Sequence, residues 1–330
     1  MAETLALYND WQRDFPLLPH PFAHLAAAHQ TTEATVLTQL AAGLDKGEIS
    51  RIGAVFAPNR IGVSTLAALA VPPRQLEAVA AQVNQHPEVN HNYARAGHRF
   101  NLWFVLTARH RAQLDTVLDT LRHTTRRPLL DLPLVREYHI DLGFSLTGTA
   151  TARPAVLPTP AACQPPVPPS LTAQDWGLIA ALEAGLPLVH APYAALGQAC
   201  GLDEVDVLAR LAAWQTAGWL RRFGVVLRHR ALGYRANAMC VWDVPDALVD
   251  AKGAWLAQQS AVNLCYRRPR RAGWAYSLFA MLHGRDAEAV SAQAAKLTVE
   301  GGLQGYAHHQ LFSTHCYRQR GAQYAAQPAL

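Results

Sequence analysis

The sequence reads as one unit written twice. Phe15-Pro-Leu-Leu-Pro-His-Pro-Phe-Ala-His-Leu25 aligns with Leu186-Pro-Leu-Val-His-Ala-Pro-Tyr-Ala-Ala-Leu196, an offset of about 171 residues. The register then runs on without a gap: Glu33, Val36, Leu37 and Leu40 fall on Glu204, Val207, Leu208 and Leu211, and Gly47, Arg51, Gly53, Val55 and Gly62 on Gly218, Arg222, Gly224, Val226 and Gly233. After a slip of one or two residues, Val89-Asn-His-Asn-Tyr-Ala-Arg95 meets Val262-Asn-Leu-Cys-Tyr-Arg-Arg268. Between the copies lies Ser145–Ser170, where Pro154, Pro158, Pro160, Pro165, Pro166, Pro168 and Pro169 predict a stiff, extended spacer.

Composition limits what the copies can be. The chain has 330 residues, 50% apolar and 16% charged, enough for packed cores and too long for a single small module. Its five cysteines, Cys163, Cys200, Cys240, Cys265 and Cys316, form no close pair, which argues against a zinc ribbon, an iron–sulfur cluster or a disulfide framework. No stretch reaches the roughly 18 unbroken apolar residues of a membrane span. The first residues, with Glu3, Asn9, Asp10, Arg13 and Asp14, are too polar for a secretory leader, so a soluble cytoplasmic chain is expected. The net charge of +5 rests on Arg, since Lys occurs only at Lys46, Lys252 and Lys296.

Within the second copy the pattern predicts short helices at Asp175–Glu183 and Pro192–Cys200 and a third at Asp203–Thr216, stopped by Gly218. Leu220–His229 reads as two short strands or a wing. Then follow strand Ala236–Val244, helix Asp246–Gln258, strands Ala261–Arg268 and Trp274–Leu282, helix Ala287–Thr298 and strand Gly302–Cys316. The first copy matches with strand Ser64–Val71, helix Pro73–Gln85, strands Val89–Arg95 and Phe100–Thr107, helix Arg111–Arg122 and strand Leu130–Ile140. The expected fold class is therefore α+β, a tandem duplication in which each copy is a winged helix-turn-helix followed by a ferredoxin-like βαββαβ domain. The boundaries are 1–60, 61–144, a linker at 145–170, 171–231 and 232–320.

A winged helix-turn-helix ahead of a βαββαβ domain resembles the Lrp/AsnC transcription regulators. Charge argues against DNA as the partner, because a recognition helix needs cations and amides facing phosphates and base edges. Thr32–Lys46 carries Lys46 against Glu33 and Asp45, and Asp203–Ala217 carries Arg210 against Asp203, Glu204 and Asp206. The basic residues lie instead at Arg95, His98 and Arg99 and at Arg267, Arg268, Arg270 and Arg271.

On the predicted strand Val89–Arg95 the period of two puts His91, Tyr93 and Arg95 on one face and Asn90, Asn92 and Ala94 on the other. A ferredoxin-like sheet has one face covered by its helices, and the His-Tyr-Arg row is expected on the free face. The returning strand adds Asn101 and Trp103 to one side. The second copy presents Tyr266 and Arg268 with an Arg-rich hairpin, but Leu264 stands where His91 stands in the first, so the copies differ chemically. Taken singly, a strand histidine or arginine is more often solvated or salt-bridged. Clustered with aromatic rings, these residues fit a large, flat polyanion.

The wording of these strings is also similar to a known family. Val89-Asn-His-Asn-Tyr-Ala-Arg-Ala-Gly-His-Arg-Phe-Asn-Leu-Trp-Phe104, with Arg51-Ile-Gly-Ala-Val-Phe56 and Ile140-Asp-Leu-Gly-Phe144, resembles one subunit type of siroheme decarboxylase. Asn263-Leu-Cys-Tyr-Arg-Arg-Pro-Arg-Arg271, with Ala280-Met-Leu-His-Gly-Arg-Asp286 and Arg221-Arg-Phe-Gly224, resembles the partner subunit in the heme d1 branch. The resemblance implies a fusion of two subunits that removes carbon dioxide from the C12 and C18 acetate groups of siroheme, giving 12,18-didecarboxysiroheme. It implies no organic cofactor and no metal site built from protein alone.

On that resemblance, His91 and His98 are candidates for proton delivery or for approach to the substrate iron, Tyr93 orients, and Arg95 and Arg99 anchor carboxylates. Asn101 and Trp103 line the pocket, and Tyr266, Arg267, Arg268, Arg270 and Arg271 hold the remaining side chains or form a weaker second site. His139 and His315 are expected to be structural, and His283, His308 and His309 receive no role. The two copies are expected to form an internal pseudo-dimer, with a homodimer above it and other heme d1 enzymes as possible partners. Rival readings are a tetrapyrrole-responsive regulator and a siroheme carrier without chemistry.

Overall fold

The computed structural model describes residues 2–140, 171–228 and 230–325. The spacer expected at Ser145–Ser170 lies outside the described residues. The first copy runs α1 (Ala2–Asp10), α2 (Pro21–Ala28), α3 (Glu33–Asp45), β1 (Ile49–Phe56), β2 (Val63–Leu69), α4 (Leu76–Asn84), β3 (Val89–Arg95), β4 (Leu102–Ala108), α5 (Arg111–Thr125), β5 (Leu129–Pro133) and β6 (Arg136–Ile140). The second runs α6 (Ala173–Ala184), α7 (Pro192–Cys200), α8 (Glu204–Thr216), β7 (Leu220–Leu227), β8 (Ala236–Trp242), α9 (Asp246–Ala257), β9 (Val262–Arg267), β10 (Leu278–Gly284), α10 (Ala287–Glu300) and β11 (His308–Gln319). The helix expected at Pro73–Gln85 opens as a 3-10 turn over Pro73–Gln75, because two prolines bar the first amides from an α-helical ladder.

Like segments of the two copies join in two compact units. The first unit takes the described residues up to Gly62, from 171 to Leu232, and from 323 to 325. Its helices obey their sequence signals. Thr32 accepts the amide of Thr35 to cap α3, and Val36 and Leu40 face inward. Thr172 and Asp175 cap α6 reciprocally.

Among the described residues the strands expected to make a wing within each copy pair across the copies instead. β1 and β7 pair antiparallel with each other, from Ile49↔Leu227 to Phe56↔Leu220. The physical reason is chain economy: Phe56 is followed by a single turn and then β2, so no return strand is left inside the copy, and the backbone groups of β1 take their partners from its repeat. At Gly224 a Cβ would lie 2.4 Å from the Trp11 carbonyl, so the close approach of α1's exit to β7 requires glycine there.

The second unit takes Val63 to 140 and Gly233 to Ala322. Its strands form one nine-stranded sheet, ordered β5-β2-β4-β3-β11-β8-β10-β9-β6. Each half has the ferredoxin-like order, but the last strand of each copy is shared. β11 pairs with β8 over His308–Phe312 and with β3 of the other copy over Ser313–Gln319. The strand expected at Leu130–Ile140 is likewise two: β5 pairs with β2, and β6 with β9 of the second copy. Pro133 ends the first ladder and lets the chain cross.

The sheet face expected to be free is therefore largely occupied. Leu66, Ala68, Trp103, Leu130 and Leu132 from one copy and Met239, Val241, Tyr266, Trp274, Phe279, Met281 and Leu311 from the other make one buried cluster between the two halves. Each half keeps its own helix-side core, around Leu102, Phe104 and Leu118 in the first and Trp242, Leu278 and Leu297 in the second.

Candidate active site

Of the two asparagines expected together on one face of β3, only Asn92 turns toward the helices; an irregularity between Val89 and His91 breaks the alternation and leaves Asn90 with Thr107 on the opposite face from Leu106 and Ala108. Asn92 donates to the Ala80 carbonyl at 3.2 Å and to the Asn84 side chain at 3.0 Å, and Asn90 donates to the Thr107 hydroxyl at 2.7 Å. On the face away from Asn92 the His91 and Tyr93 rings stack with centroids 6.1 Å apart, and the Arg95 guanidinium lies 5.7 Å from the Tyr93 ring. Arg95 is buried between the halves and donates to the Leu311 carbonyl of the other copy at 2.9 Å. Burial pushes its pKa down, opposed by Tyr266, Tyr93 and Cys240 beside it. An arginine stays charged nonetheless.

The second copy repeats this arrangement. Arg268 sits 4.5 Å over the Tyr266 ring and donates to the Leu132 carbonyl of the first copy. Leu132 and Leu311 are equivalent, since they lie opposite Leu66 and Met239 in the register of their sheets. Two arginines thus cross between copies in a pseudo-twofold pair.

The symmetry fails at the hairpins. After Arg95 the chain turns through Gly97, whose φ of +101 favours glycine and whose missing side chain lets the turn sit against the Gln310 carbonyl. This brings the His98 ring within 5.5 Å of the His309 ring of β11, 5.0 Å of Trp274 and 6.3 Å of Tyr276. The Phe100 amide donates to His98 Nδ1 at 3.1 Å, so the neutral ring carries its proton on Nε2. Burial, then His309, then Arg99 push the His98 pKa below its ordinary value, which favours an uncharged imidazole at neutral pH. Arg99 is exposed and lies 5.0 Å over the Phe100 ring. In the pseudo-equivalent position of His309 stands Leu130, opposite Ala68 as His309 is opposite Val241.

The remaining candidates fall elsewhere. Both amide atoms of Asn101 are taken by the Val71 backbone, at 3.0 Å and 2.8 Å. Trp103 is 1% exposed and gives its indole N–H to the Phe100 carbonyl at 2.7 Å, a core position. Arg267 points to the helix side and pairs with Asp246 at 2.9 Å; Arg270 pairs with Asp243 at 2.9 Å and with Asp246 at 2.7 Å. Arg271 is exposed and donates to the Asp131 carbonyl at 3.0 Å. His91 stands at the far end of β3 from the hairpin, roughly 13 Å from Arg95 by strand rise. Sequence reading missed His309, Tyr276 and Trp274. Hairpin length was the available signal: the bond from the Arg95 amide to Asn101 closes a shorter loop than that from the Arg268 amide to Ser277, and Trp274 occupies the excess.

Among the described residues no group of three or more His, Cys, Asp or Glu is arranged to hold a metal ion, and no helix is long and apolar enough to cross a membrane. The AsnC-like ligand binding domain model matches residues 60–139 and 231–318, and the siroheme decarboxylase NirDL-like HTH domain model matches 6–49 and 175–221. The chain is 45% identical over 322 residues to the siroheme decarboxylase NirDL subunit of Paracoccus pantotrophus, covering 96% of each. It is 49% identical over 145 residues to the siroheme decarboxylase NirL subunit of Stutzerimonas stutzeri, covering 44% of this chain and 85% of that one. The crystal structure of the siroheme decarboxylase NirDL in complex with an iron-uroporphyrin III analogue superposes with a TM-score of 0.70 at 27% identity, over 98% of this chain and 94% of that one. With both halves of the duplication matched along nearly their whole length, the chain belongs to the siroheme decarboxylase family in its fused, two-copy form.

Proposed function

We propose that this chain decarboxylates siroheme at the C12 and C18 acetates, yielding 12,18-didecarboxysiroheme for heme d1 formation. The observation that carries the reading is the one-sided imidazole pair His98–His309, set beside Arg99 on the hairpin that follows the buried Arg95, in a fold whose relative takes an iron-uroporphyrin III analogue. In each step the bond between the methylene and its carboxylate breaks, carbon dioxide leaves, and the electron pair on the methylene carbon, delocalised into the macrocycle, takes up a proton. Loss of carboxylate solvation favours the first event and a positioned acid the second. Arg95, Arg99 and Arg268 supply fixed positive charge for the side chains that remain. His98 and His309 supply the proton, with His91 and Tyr93 facing the substrate farther along β3.

The chemistry as written needs no further cofactor. The described cysteines are free thiols, in keeping with a reducing cytoplasm. DNA is not the partner in this reading: Arg210 of α8 is held by Asp175, and Lys46 caps the C-terminal end of α3. We also infer a homodimer of the fused chain, which light scattering on the purified protein tests directly.

The test is anaerobic incubation with siroheme and mass analysis of the extracted tetrapyrrole. Loss of two carbon dioxide units is expected. Tightly bound but unchanged siroheme would replace the enzyme with a carrier.

A further inference from the structure

The hairpin between β9 and β10 is longer than its counterpart between β3 and β4, and Trp274 fills the excess length. It is 1% exposed. Reciprocal backbone bonds with Arg271, both 2.8 Å, hold it in the hairpin, and its indole N–H has no hydrogen-bond partner among the described residues. Its ring contacts therefore set the placement of its side chain. These are edge-on against His98 at 5.0 Å and 89°, against Tyr276 at 4.9 Å and against Trp103 at 4.9 Å. The preceding Gly273 has a φ of +75, and a Cβ there would collide with the Arg99 guanidinium, so the second hairpin lies directly on His98 and Arg99 of the first. An indole N–H left unpaired in the interior carries a desolvation penalty that plain core filling by leucine or phenylalanine avoids.

We propose that Trp274 is a positioning residue for His98: reaching across from the second copy, it fixes the imidazole edge-on and keeps water from that side of the ring. The inference rests on the assignment of His98 to the active site. The groups facing His98 are Arg99 and Phe100 from its own hairpin, Tyr276 and Trp274 from the second hairpin, and His309 from β11. Removing the indole wall admits water, relieves the burial that disfavours the imidazolium, and frees the ring to rotate.

The experiment titrates the histidine rings of the full, substrate-free chain by NMR, with the His98 resonance assigned by its loss in His98→Asn, and follows siroheme decarboxylation against pH in parallel. In Trp274→Leu the His98 midpoint is expected to rise toward that of a free imidazole, the corresponding limb of the rate profile to move to higher pH, and kcat to fall on the order of tenfold with KM little changed. Trp274→Phe is expected to restore both. Should Trp274→Leu fail to fold, Trp274→Met, closer in volume, takes its place. An unmoved His98 midpoint in a folded variant, or a moved midpoint with unchanged kcat, overturns the proposal. If the wild-type chain leaves siroheme intact while the midpoint still moves, the decarboxylase reading fails and the packing of Trp274 on His98 stands.

Discussion

The rings of His98 and His309 lie 5.5 Å apart, one from each copy of the duplication, at a position whose pseudo-twofold mate holds Leu130 in place of the second histidine. If this pair delivers the proton, His98→Ala and His309→Ala each lower kcat/KM by about 10²- to 10⁴-fold. His139→Ala, on β6, changes it little. Single-turnover decarboxylation under anaerobic conditions reads all three.

The same asymmetry ranks the two copies. His91→Ala is expected to slow decarboxylation more than Tyr266→Phe, because Leu264 has replaced the histidine of the second copy. Full activity in His91→Ala with none in Tyr266→Phe would reverse the assignment.

Asn101 separates structure from binding. Its amide satisfies the Val71 N–H and carbonyl, so Asn101→Ala is expected to cost about 1–3 kcal/mol in chemical denaturation while siroheme affinity in spectroscopic titration stays within a factor of about two. A large loss of affinity at full stability would return Asn101 to the pocket.

The exchanged strands are clasped by matching pairs. The Tyr138 hydroxyl donates to Asp250 of α9 at 2.5 Å, and Tyr317 donates to Glu77 of α4 at 2.8 Å. Tyr138 is buried and Tyr317 half-buried, so Tyr138→Phe is expected to destabilise the chain by about 1–2 kcal/mol and Tyr317→Phe by less. The check is the shift in denaturation midpoint at constant slope.

Acid sensitivity in the first unit follows from Asp175. Burial raises the pKa of its carboxyl, but hydrogen bonds from Thr172 and the ion pair with Arg210 outweigh burial and hold it below the ordinary value. Depression in the folded state means that the stabilisation is present above the unfolded value, roughly pH 4, and is lost as pH falls through the folded one. Asp175→Asn is expected to be less stable at neutral pH and to show a flatter acid limb; equal acid limbs in thermal melts from pH 6 to 3 would remove Asp175 from that role.

Local signals carried far in this chain. β3 and α7 begin and end where alternation and helical periodicity put them, and the His91-Tyr93-Arg95 face is set by the pleat alone. Other residues were ambiguous for a chemical reason. An asparagine has the same donors and acceptor whether it meets a ligand or a backbone, so no reading of Asn101 could tell that Val71 takes both. Arg267 and Arg270 read as anion anchors until Asp243 and Asp246, brought near by α9 and its entry loop, turned out to hold them.

The sequence by itself determined the duplication, the α+β order of each copy and the chemical difference between them, because period, capping and repeat register are properties of neighbouring residues. Only the tertiary structure decided that β1 pairs with β7, that β6 and β11 cross to the other copy, and that His309, Tyr276 and Trp274 close around His98. Backbone hydrogen bonding is blind to side chains, so a strand does not name its partner. The partner is chosen by which pairing buries the apolar faces together and leaves the fewest backbone groups unpaired.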